Sequence, residues 1–347
     1  MLFVSLRDLQ WRRRRFLIGV LAAGLVFALT LLISGVSASF GDEIKHTVNS
    51  FQVDAWIVPA DVSGPFTSSR VFPAAEAEKV ASTPGVQAAA PVLMSRVTVR
   101  TSSVHDLNMI GIPPTGIVAP KLSQGRQLRG AGDMIVDSSL GMKLGSTLSA
   151  FGRSFTIVGR THGLTYFGGV PVAFVSITDL QAGALNGAPL ATAIVTRGAI
   201  PTPPSGFRVL DNSAVRSDLG RPMHKATQTI SFIEILLWLV AAGIIGSVLY
   251  LQAIERSRDF AVFKATGVTT RTLLSGLAGQ AIALALSAAI AAYVLSFLLS
   301  PAMAMAIAIP QSAYIALPLV AILVGLLSSL VALRRAVTVD PALAFGG

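Results

Sequence analysis

The residues that could ligate a metal or act as nucleophiles do not form a catalytic pattern in this chain. Cysteine is absent from the 347 residues, which excludes a disulfide framework, a thiolate metal site and a cysteine nucleophile. Four histidines are present, but they lie far apart and show none of the HxH, HxxxH or HExxH spacings of metal sites. They are His46, His105, His162 and His224. No metal site is therefore expected.

Two further segments combine polar residues or glycines in ways that could suggest catalysis or phosphate binding. Asp137, Ser138 and Ser139 have no GxSxG elbow and no recognisable base, so we predict a turn or a helix N-cap there. The stretch THGLTYFGGVP at 161–171 lacks the GxxxxGK[ST] and GxGxxG patterns, and we interpret it as a mobile loop. The chain contains no Walker A motif, so ATP, if it drives this protein, must bind to another chain. A membrane-anchored enzyme is accordingly disfavoured.

The composition is too apolar for an ordinary soluble domain. Hydrophobic residues make up 52% of the chain and charged residues only 13%, which indicates membrane spans. The formal net charge is +10, but the polar region has no run of basic residues interleaved with aromatics. We therefore interpret the charge as a topology signal and expect no nucleic-acid partner.

The first uncharged zone, 16–41, follows four consecutive arginines. It exceeds the roughly 20 helical residues that cross a bilayer core of about 30 Å. A cleaved signal peptide also begins with basic residues, but its apolar core would be only about 7–15 residues long. We therefore favour a retained span.

Two more uncharged zones follow near the C-terminus, at 235–254 and 272–333. The last one has 62 residues and would form a helix of about 93 Å, so it must fold back. Pro301 and Pro310 mark the break, because proline ends helices. The predicted transmembrane helices are 16–41, 230–254, 273–299 and 314–333.

The basic residues predict the orientation, since cytoplasmic flanks of spans are enriched in Lys and Arg. The N-terminal leader 1–15, the segment 255–271 and the tail 334–347 carry them, whereas the loop 300–313 has none. We therefore expect both termini in the cytoplasm of a multi-pass cell-membrane protein. The loop 300–313 and the large segment 42–226 are then external.

Segment 42–226 mixes short alternating strands with helical patterns, which predicts a mixed α and β domain. The stretch FQVDAWIVP at 51–59 is typical of a strand. A helix is predicted from about Ala74 to Ser82, because Pro84 and Gly85 follow it. Another helix is predicted from about Asn212 into the second span.

Small and polar residues also occur within the predicted spans. Gly243 and Ser247 have the spacing of a helix-packing seam, although a chance match explains this equally well in an Ala- and Gly-rich segment. Glu234 is a candidate functional acid at the outer edge of the second span. A residue at the membrane interface needs no such role, so both interpretations stay open.

One charged segment, ERSRDFAVFKATGVTTRTL at 255–273, interrupts the uncharged C-terminal part. The simplest interpretation is a cytoplasmic loop whose charges mark the inner side. However, Phe260 and Phe263 would share one face of a helix, and Gly267 follows as a helix stop. Exposed aromatic residues beside charges suit insertion into a groove on a partner. We therefore favour a helix that receives force from a soluble protein.

The same segment resembles the pattern E-R-x-R-E-[IF]-[GA]-[IV]-x-[KR]-A-x-G of permease subunits of MacB/FtsX-type (type VII, DevC-like) ABC transporters. Asp259 stands where Glu is commoner in that pattern. The ending AVTVDPALAFGG and the stretches STPGVQAAAPVL and KLGSTLSAFGRSFTIVGRT are also similar to family segments. The order of one span, a large outside domain and three spans matches as well. The matching positions are Glu255, Arg256, Arg258, Phe260, Lys264, Ala265 and Gly267.

The resemblance implies an α+β membrane protein with four transmembrane helices. A large α/β extracytoplasmic domain, with a porter-like lobe and a smaller β-rich lobe, would be inserted between helices 1 and 2. The expected partners are membrane lipid, a second permease copy in a homodimer or heterodimer, and two copies of a cytoplasmic ABC ATPase. ATP and Mg would bind to that ATPase, and no cofactor is expected in this chain. The expected ATPase-coupling residues are Glu255, Arg256, Arg258, Asp259, Phe260, Phe263, Lys264 and Gly267.

The family also implies two alternative functions. In the first, the chain is a non-catalytic permease that transmits ATPase movement to the external domain, which exports or extracts a hydrophobic or lipid-like substrate. In the second, an FtsX-like regulator activates an extracytoplasmic cell-wall hydrolase or signalling partner without transport.

Overall fold

The structure is a computed structural model that describes residues 13–101, 103–198, 203–255, 262, 266–267, 269–302, 307 and 309–337. The chain divides into two units. The helical unit contains the described residues of Met1–Ser39 and Thr227–Gly347, and the sheet unit is Phe40–Ala226. The α-helices of the described residues are α1 Arg13–Ser50, α2 Glu76–Ala81, α3 Ile177–Ala184, α4 Asn212–Glu255, α5 Thr270–Leu299 and α6 Gln311–Val337.

The helices that contain the predicted spans are longer than those spans. α1 has 38 residues and continues beyond position 41, where Asp42 and Glu43 end the apolar stretch without ending the helix. α4 has 44 residues and begins well before position 230. Both helices therefore contribute residues to the helical unit and to the sheet unit.

Within the described residues, three helical segments are long and apolar enough to cross a membrane: Phe16–Ser50, Asn212–Gln252 and Ala278–Ala302. The described apolar part of α6, Gln311–Leu327, is shorter. The count of four transmembrane helices accordingly stays a prediction.

The helical unit has a core rich in alanine, in which glycines allow helices to approach closely. A Cβ atom on Gly24 of α1 would lie 2.9 Å from Ala291 Cβ and 3.1 Å from Ala288 O on α5. A Cβ atom on Gly325 of α6 would lie 3.0 Å from Ala281 O. Small side chains thus determine how α1 and α6 pack on α5.

The sheet unit is built on a mostly antiparallel sheet with the strand order β13-β1-β12-β3-β4-β10-β6-β8-β5. β7 lies beside β8, β9 lies beside β10, and β2 and β11 form a separate pair. The pairs β4–β10 and β6–β8 are parallel. The strands are β1 Ala55–Pro59, β2 Phe72–Pro73, β3 Val86–Arg100, β4 Val104–Ile112, β5 Gln124–Gly125, β6 Asp133–Asp137, β7 Thr147–Ala150, β8 Arg153–Thr161, β9 Thr165–Tyr166, β10 Val170–Ser176, β11 Leu190–Ala191, β12 Ala193–Gly198 and β13 Phe207–Asp211.

The long strand β3 belongs to both halves of this sheet, the half that contains β12 and the half that contains β4. Its residues 86–92 pair with β12, and its residues 93–100 pair with β4. We expected a porter-like lobe and a smaller lobe richer in β-structure, but Phe40–Ala226 forms one compact unit. The division into two lobes stays a prediction.

Hydrophobic clusters cover both faces of the sheet. The largest cluster contains Trp56, Val92, Ile110 and Phe174, which come from both halves, together with residues from the ends of α1 and α4. Across the sheet, α3 covers a cluster around Met109, and α2 covers a separate smaller cluster. One face of the sheet therefore carries one continuous hydrophobic cluster, and the other face carries two separate clusters.

Local predictions within this unit have mixed outcomes. The helix predicted at 74–82 is Glu76–Ala81, and the helix predicted from Asn212 begins there. The Asp137 N-cap is confirmed, since its side chain accepts a hydrogen bond of 3.0 Å from Ser139 N. The loop prediction for 161–171 is wrong, because β9 and β10 pair as a short hairpin.

Candidate functional site: the coupling segment and the helix anchors

The coupling segment comprises residues 255–271. Its described residues include the end of a helical turn. Thr266 N donates a hydrogen bond of 3.0 Å to Val262 O, and Gly267 follows with a φ of 85°. A left-handed residue at this place is typical of a helix end. The predicted helix stop is therefore confirmed. Val262 is 49% exposed, and Glu255, the last residue of α4, is also exposed.

The other predicted coupling residues lie outside the described residues, so their role stays a prediction. They are Arg256, Arg258, Asp259, Phe260, Phe263 and Lys264.

At the other end of the long helices, side chains of α1 bind the hairpin formed by β9 and β10. Thr165 Oγ1 donates a hydrogen bond of 2.6 Å to Glu43 Oε1. Thr47 Oγ1 donates a hydrogen bond of 2.9 Å to Thr165 O. Val48 and the following Phe51 are buried in the core of the sheet unit. α1 is thus attached by polar bonds and by apolar burial.

Asn212, the first residue of α4, forms hydrogen bonds through both the oxygen and the nitrogen of its side-chain amide. Trp56 Nε1 donates a hydrogen bond of 2.9 Å to Asn212 Oδ1, and Asn212 Nδ2 donates one of 2.9 Å to Val53 O. Asp211 Oδ1 also accepts a hydrogen bond of 2.8 Å from Ala214 N, which satisfies a free amide of the first helical turn. The start of α4 is therefore fixed to β1.

One turn further along α4, the carboxylate of Asp218 holds the loop 64–67, which we call the strap. Asp218 is 2% exposed. Its Oδ2 accepts hydrogen bonds from Phe66 N at 2.9 Å and Thr67 N at 3.3 Å, and its Oδ1 accepts one from Thr67 Oγ1. A Cβ atom on Gly64 would lie only 2.3 Å from Asp218 Cγ, so the strap backbone rests directly on this side chain.

An aromatic cluster joins the strap to the hairpin and the sheet. The ring centroid of Phe66 lies 5.4 Å from that of Tyr166 and 5.9 Å from that of Trp56. Phe51, just beyond α1, lies 4.7 Å from Trp56 in an edge-to-face arrangement. Burial raises the pKa of Tyr166, so its phenol is neutral at physiological pH. The aromatic cluster therefore contacts residues that attach α1 to the sheet unit and residues that attach α4 to it.

Within the helical unit, Glu234 of α4 binds α1. Ser34 Oγ donates a hydrogen bond of 2.7 Å to Glu234 Oε1. This bond gives the acid a structural partner on the neighbouring helix. Gly243 lies on an open part of α4, because a Cβ atom added to it would have no described atom within 4 Å. Among the described residues, Gly243 is therefore not a helix-packing contact.

The histidines weighed as metal ligands have serine neighbours at two positions. Ser103 Oγ and His105 Nε2 are 2.6 Å apart, and Ser138 Oγ and His162 Nδ1 are 3.2 Å apart. The Asp137 carboxylate is bound by Ser139 N and by groups of the β8–β9 segment. Across the described ranges, no three His, Asp or Glu side chains come together as a metal site would require.

Family comparisons cover most of the chain. The model of the MacB-like periplasmic core domain matches residues 17–199, and that of the FtsX-like permease C-terminal domain matches residues 231–341. An uncharacterized ABC transporter permease of Mycobacterium tuberculosis is 43% identical over 348 residues and is covered completely, as is this chain. The chain belongs to the ABC transporter permeases of the MacB/FtsX type. A second permease of the same organism is 41% identical, with the same complete coverage.

A solved structure is also similar to part of this permease. The periplasmic region of MacB from Actinobacillus actinomycetemcomitans aligns with a TM-score of 0.39 and 13% identity. The alignment covers 49% of this chain and 94% of that chain.

Several anchor residues of the permease were not predicted from the sequence. Asn212 had a usable signal, since an asparagine after a strand often begins a helix. Glu43 and Asp218 had none, because their partners are remote in sequence. Asn212 and Asp218 lie in the interval 200–230, between the two matched domains.

Proposed function

We propose that this permease transmits a conformational change of a separate cytoplasmic ATPase to its sheet unit, which lies outside the cell membrane. The movement drives export or extraction of a hydrophobic or lipid-like molecule. The observation that carries this proposal is the pair of helices α1 and α4, which combine apolar segments with ends bonded to the sheet unit. ATP and Mg bind to the ATPase in this scheme, and the permease is not itself an enzyme.

The proposed assembly contains two permeases and two ATPase subunits. The basic residues of 1–15, 255–271 and 334–347 support cytoplasmic positions for the termini and the coupling segment. Gly243 and Ser247 are exposed on α4, which leaves a face with small residues available for a second permease copy.

The coupling segment provides the test. Replacing Phe260 and Phe263 by Asp adds charge to the face predicted to enter the ATPase groove. Val262→Asp is the matched control, because this exposed residue falls on the other side of a helix with 3.6 residues per turn. The double variant should lose copurification with the ATPase and stimulation of ATP hydrolysis, whereas the control should keep both. Unchanged copurification and activity in the double variant would contradict the coupling role.

The FtsX-like match at 231–341 also supports the regulatory alternative. Crosslinking of the full permease–ATPase complex in membranes separates the two functions. Recovery of a lipid or exported compound with the sheet unit supports transport, and recovery of a cell-wall hydrolase or a signalling protein supports regulation.

A further inference from the structure

We propose that Asp218 is the positioning residue through which movement of α4 reaches the strap, and that Phe66 carries this movement on to the aromatic cluster. This inference rests on the proposed transmission of ATPase movement and names the contact at which it enters the sheet unit. Among the described residues, every hydrogen bond to the Asp218 carboxylate comes from the strap.

The attachment at Asp218 is made by a buried carboxylate. Hydrogen bonds to a carboxylate are roughly twice as strong as bonds between neutral groups. Asp218 is nearly inaccessible to solvent, so water competes little for these donors. Because Gly64 leaves no room for a side chain between the strap and the carboxylate, the strap backbone must follow a displacement of this turn of α4.

The other side of the strap contacts groups that belong to the sheet. Phe66 packs against Trp56 of β1 and Tyr166 of β9. An Arg208 guanidinium on β13 also donates a hydrogen bond to Ser63 O, just before the strap. The strap therefore bridges a helix that enters the helical unit and the strands β1 and β9, and the preceding Ser63 adds a bond to β13, as a transmitting element requires.

A loop anchor could equally be needed for stability alone, and the chain offers a chemical match for that role. Asp137 is 1% exposed and also accepts hydrogen bonds from two backbone amides, Ser139 N and Leu164 N, and from one threonine hydroxyl, Thr161 Oγ1. It lies at the end of β6, not on a helix that enters the helical unit. Asp137→Ala therefore removes hydrogen bonds of the same kinds but leaves α4 unchanged.

The conservative variant Asp218→Asn separates geometry from charge. An asparagine oxygen can accept the amides of Phe66 and Thr67, and its amino group can donate to Thr67 Oγ1. We expect Asp218→Asn to keep the attachment, whereas Asp218→Ala removes it. Thr67→Val is a milder variant with a nearly unchanged shape, and it removes only the hydroxyl bond.

The experiment measures movement of the strap in the complete permease–ATPase complex in nanodiscs. Since the chain has no cysteine, Ser69→Cys and Glu78→Cys introduce the spin-label sites; both residues are exposed, one beside the strap and one on α2. Electron paramagnetic resonance gives the distance between the labels without nucleotide and with a non-hydrolysable ATP analogue. ATP hydrolysis and thermal stability are measured on each variant.

We expect the nucleotide to shift the distance in the labelled protein and in the Asp137→Ala and Asp218→Asn variants. The shift should be lost in Asp218→Ala and reduced in Thr67→Val, while ATP hydrolysis persists. A full shift in Asp218→Ala overturns the inference and leaves the proposed function standing. If Asp218→Ala does not assemble, a full shift in Thr67→Val overturns it. Absence of a shift in the labelled protein overturns both the inference and the proposed transmission.

Discussion

Replacing Gly24 by Ala tests the packing of α1 on α5. The new Cβ atom would lie 2.9 Å from Ala291 Cβ and 3.1 Å from Ala288 O. Carbon atoms in contact are normally about 3.5–4.0 Å apart, so the helices must separate by about 0.6 Å or more. Overpacking of this kind costs about 1–3 kcal/mol. The higher helix propensity of alanine offsets about 1 kcal/mol of this loss.

Gly41→Ala, in the same helix, is the matched control, because it gains the same helix propensity where no described atom lies within 4 Å. The two variants should therefore differ in free energy of unfolding by about 1–3 kcal/mol, with Gly24→Ala the less stable. Titration with SDS in detergent micelles measures this difference through tryptophan fluorescence, to which Trp238, 5.5 Å from Phe27, contributes. Equal stability of the two variants would refute the close approach of α1 and α5.

Two further predictions concern polar pairs. Arg126 donates hydrogen bonds of 2.6 and 3.0 Å to Asp133 and so holds the pKa of that carboxyl below its usual range. Arg126→Gln should lower the free energy of unfolding measured in urea at neutral pH, and the difference should vanish as pH falls through the lowered folded pKa of Asp133; a pH-independent difference would contradict this. Ser34→Ala should cost about 0.6–1.7 kcal/mol in the SDS titration, and no loss would show that the bond to Glu234 contributes no stability.

Features with local causes could be predicted from the sequence. The helix start at Asn212, the N-cap at Asp137 and the helix end at Gly267 each depend on a few neighbouring residues. The family was predicted largely from the segment 255–271 and is confirmed by the relatives. In contrast, charges at 42–46 indicated where the apolar stretch ends, which differs from where α1 ends at Ser50.

Features with remote causes could not be predicted in the same way. Asp218 and Phe66 are 152 positions apart, and no local pattern connects them. The glycines of 161–171 indicated a loop, but Leu164 and Tyr166 are buried in the main core of the sheet unit. Burial of these side chains fixes the strands of the hairpin, while Gly168 and Gly169, with φ of 81° and 90°, form its turn. Tertiary packing thus overrode the local signal.

The pairing of β3 has a consequence for how the sheet unit opens. Residues 86–92 of β3 bond to β12, and residues 93–100 bond to β4. Among the described residues, no other strand pairs with both parts of β3. Backbone amides on the two sides can therefore become exchangeable with solvent in separate opening events. The shared cluster around Trp56 and Phe174 then sets how strongly the two events are coupled. In hydrogen-exchange terms, the unit contains two cooperative ladders that share one strand and one core.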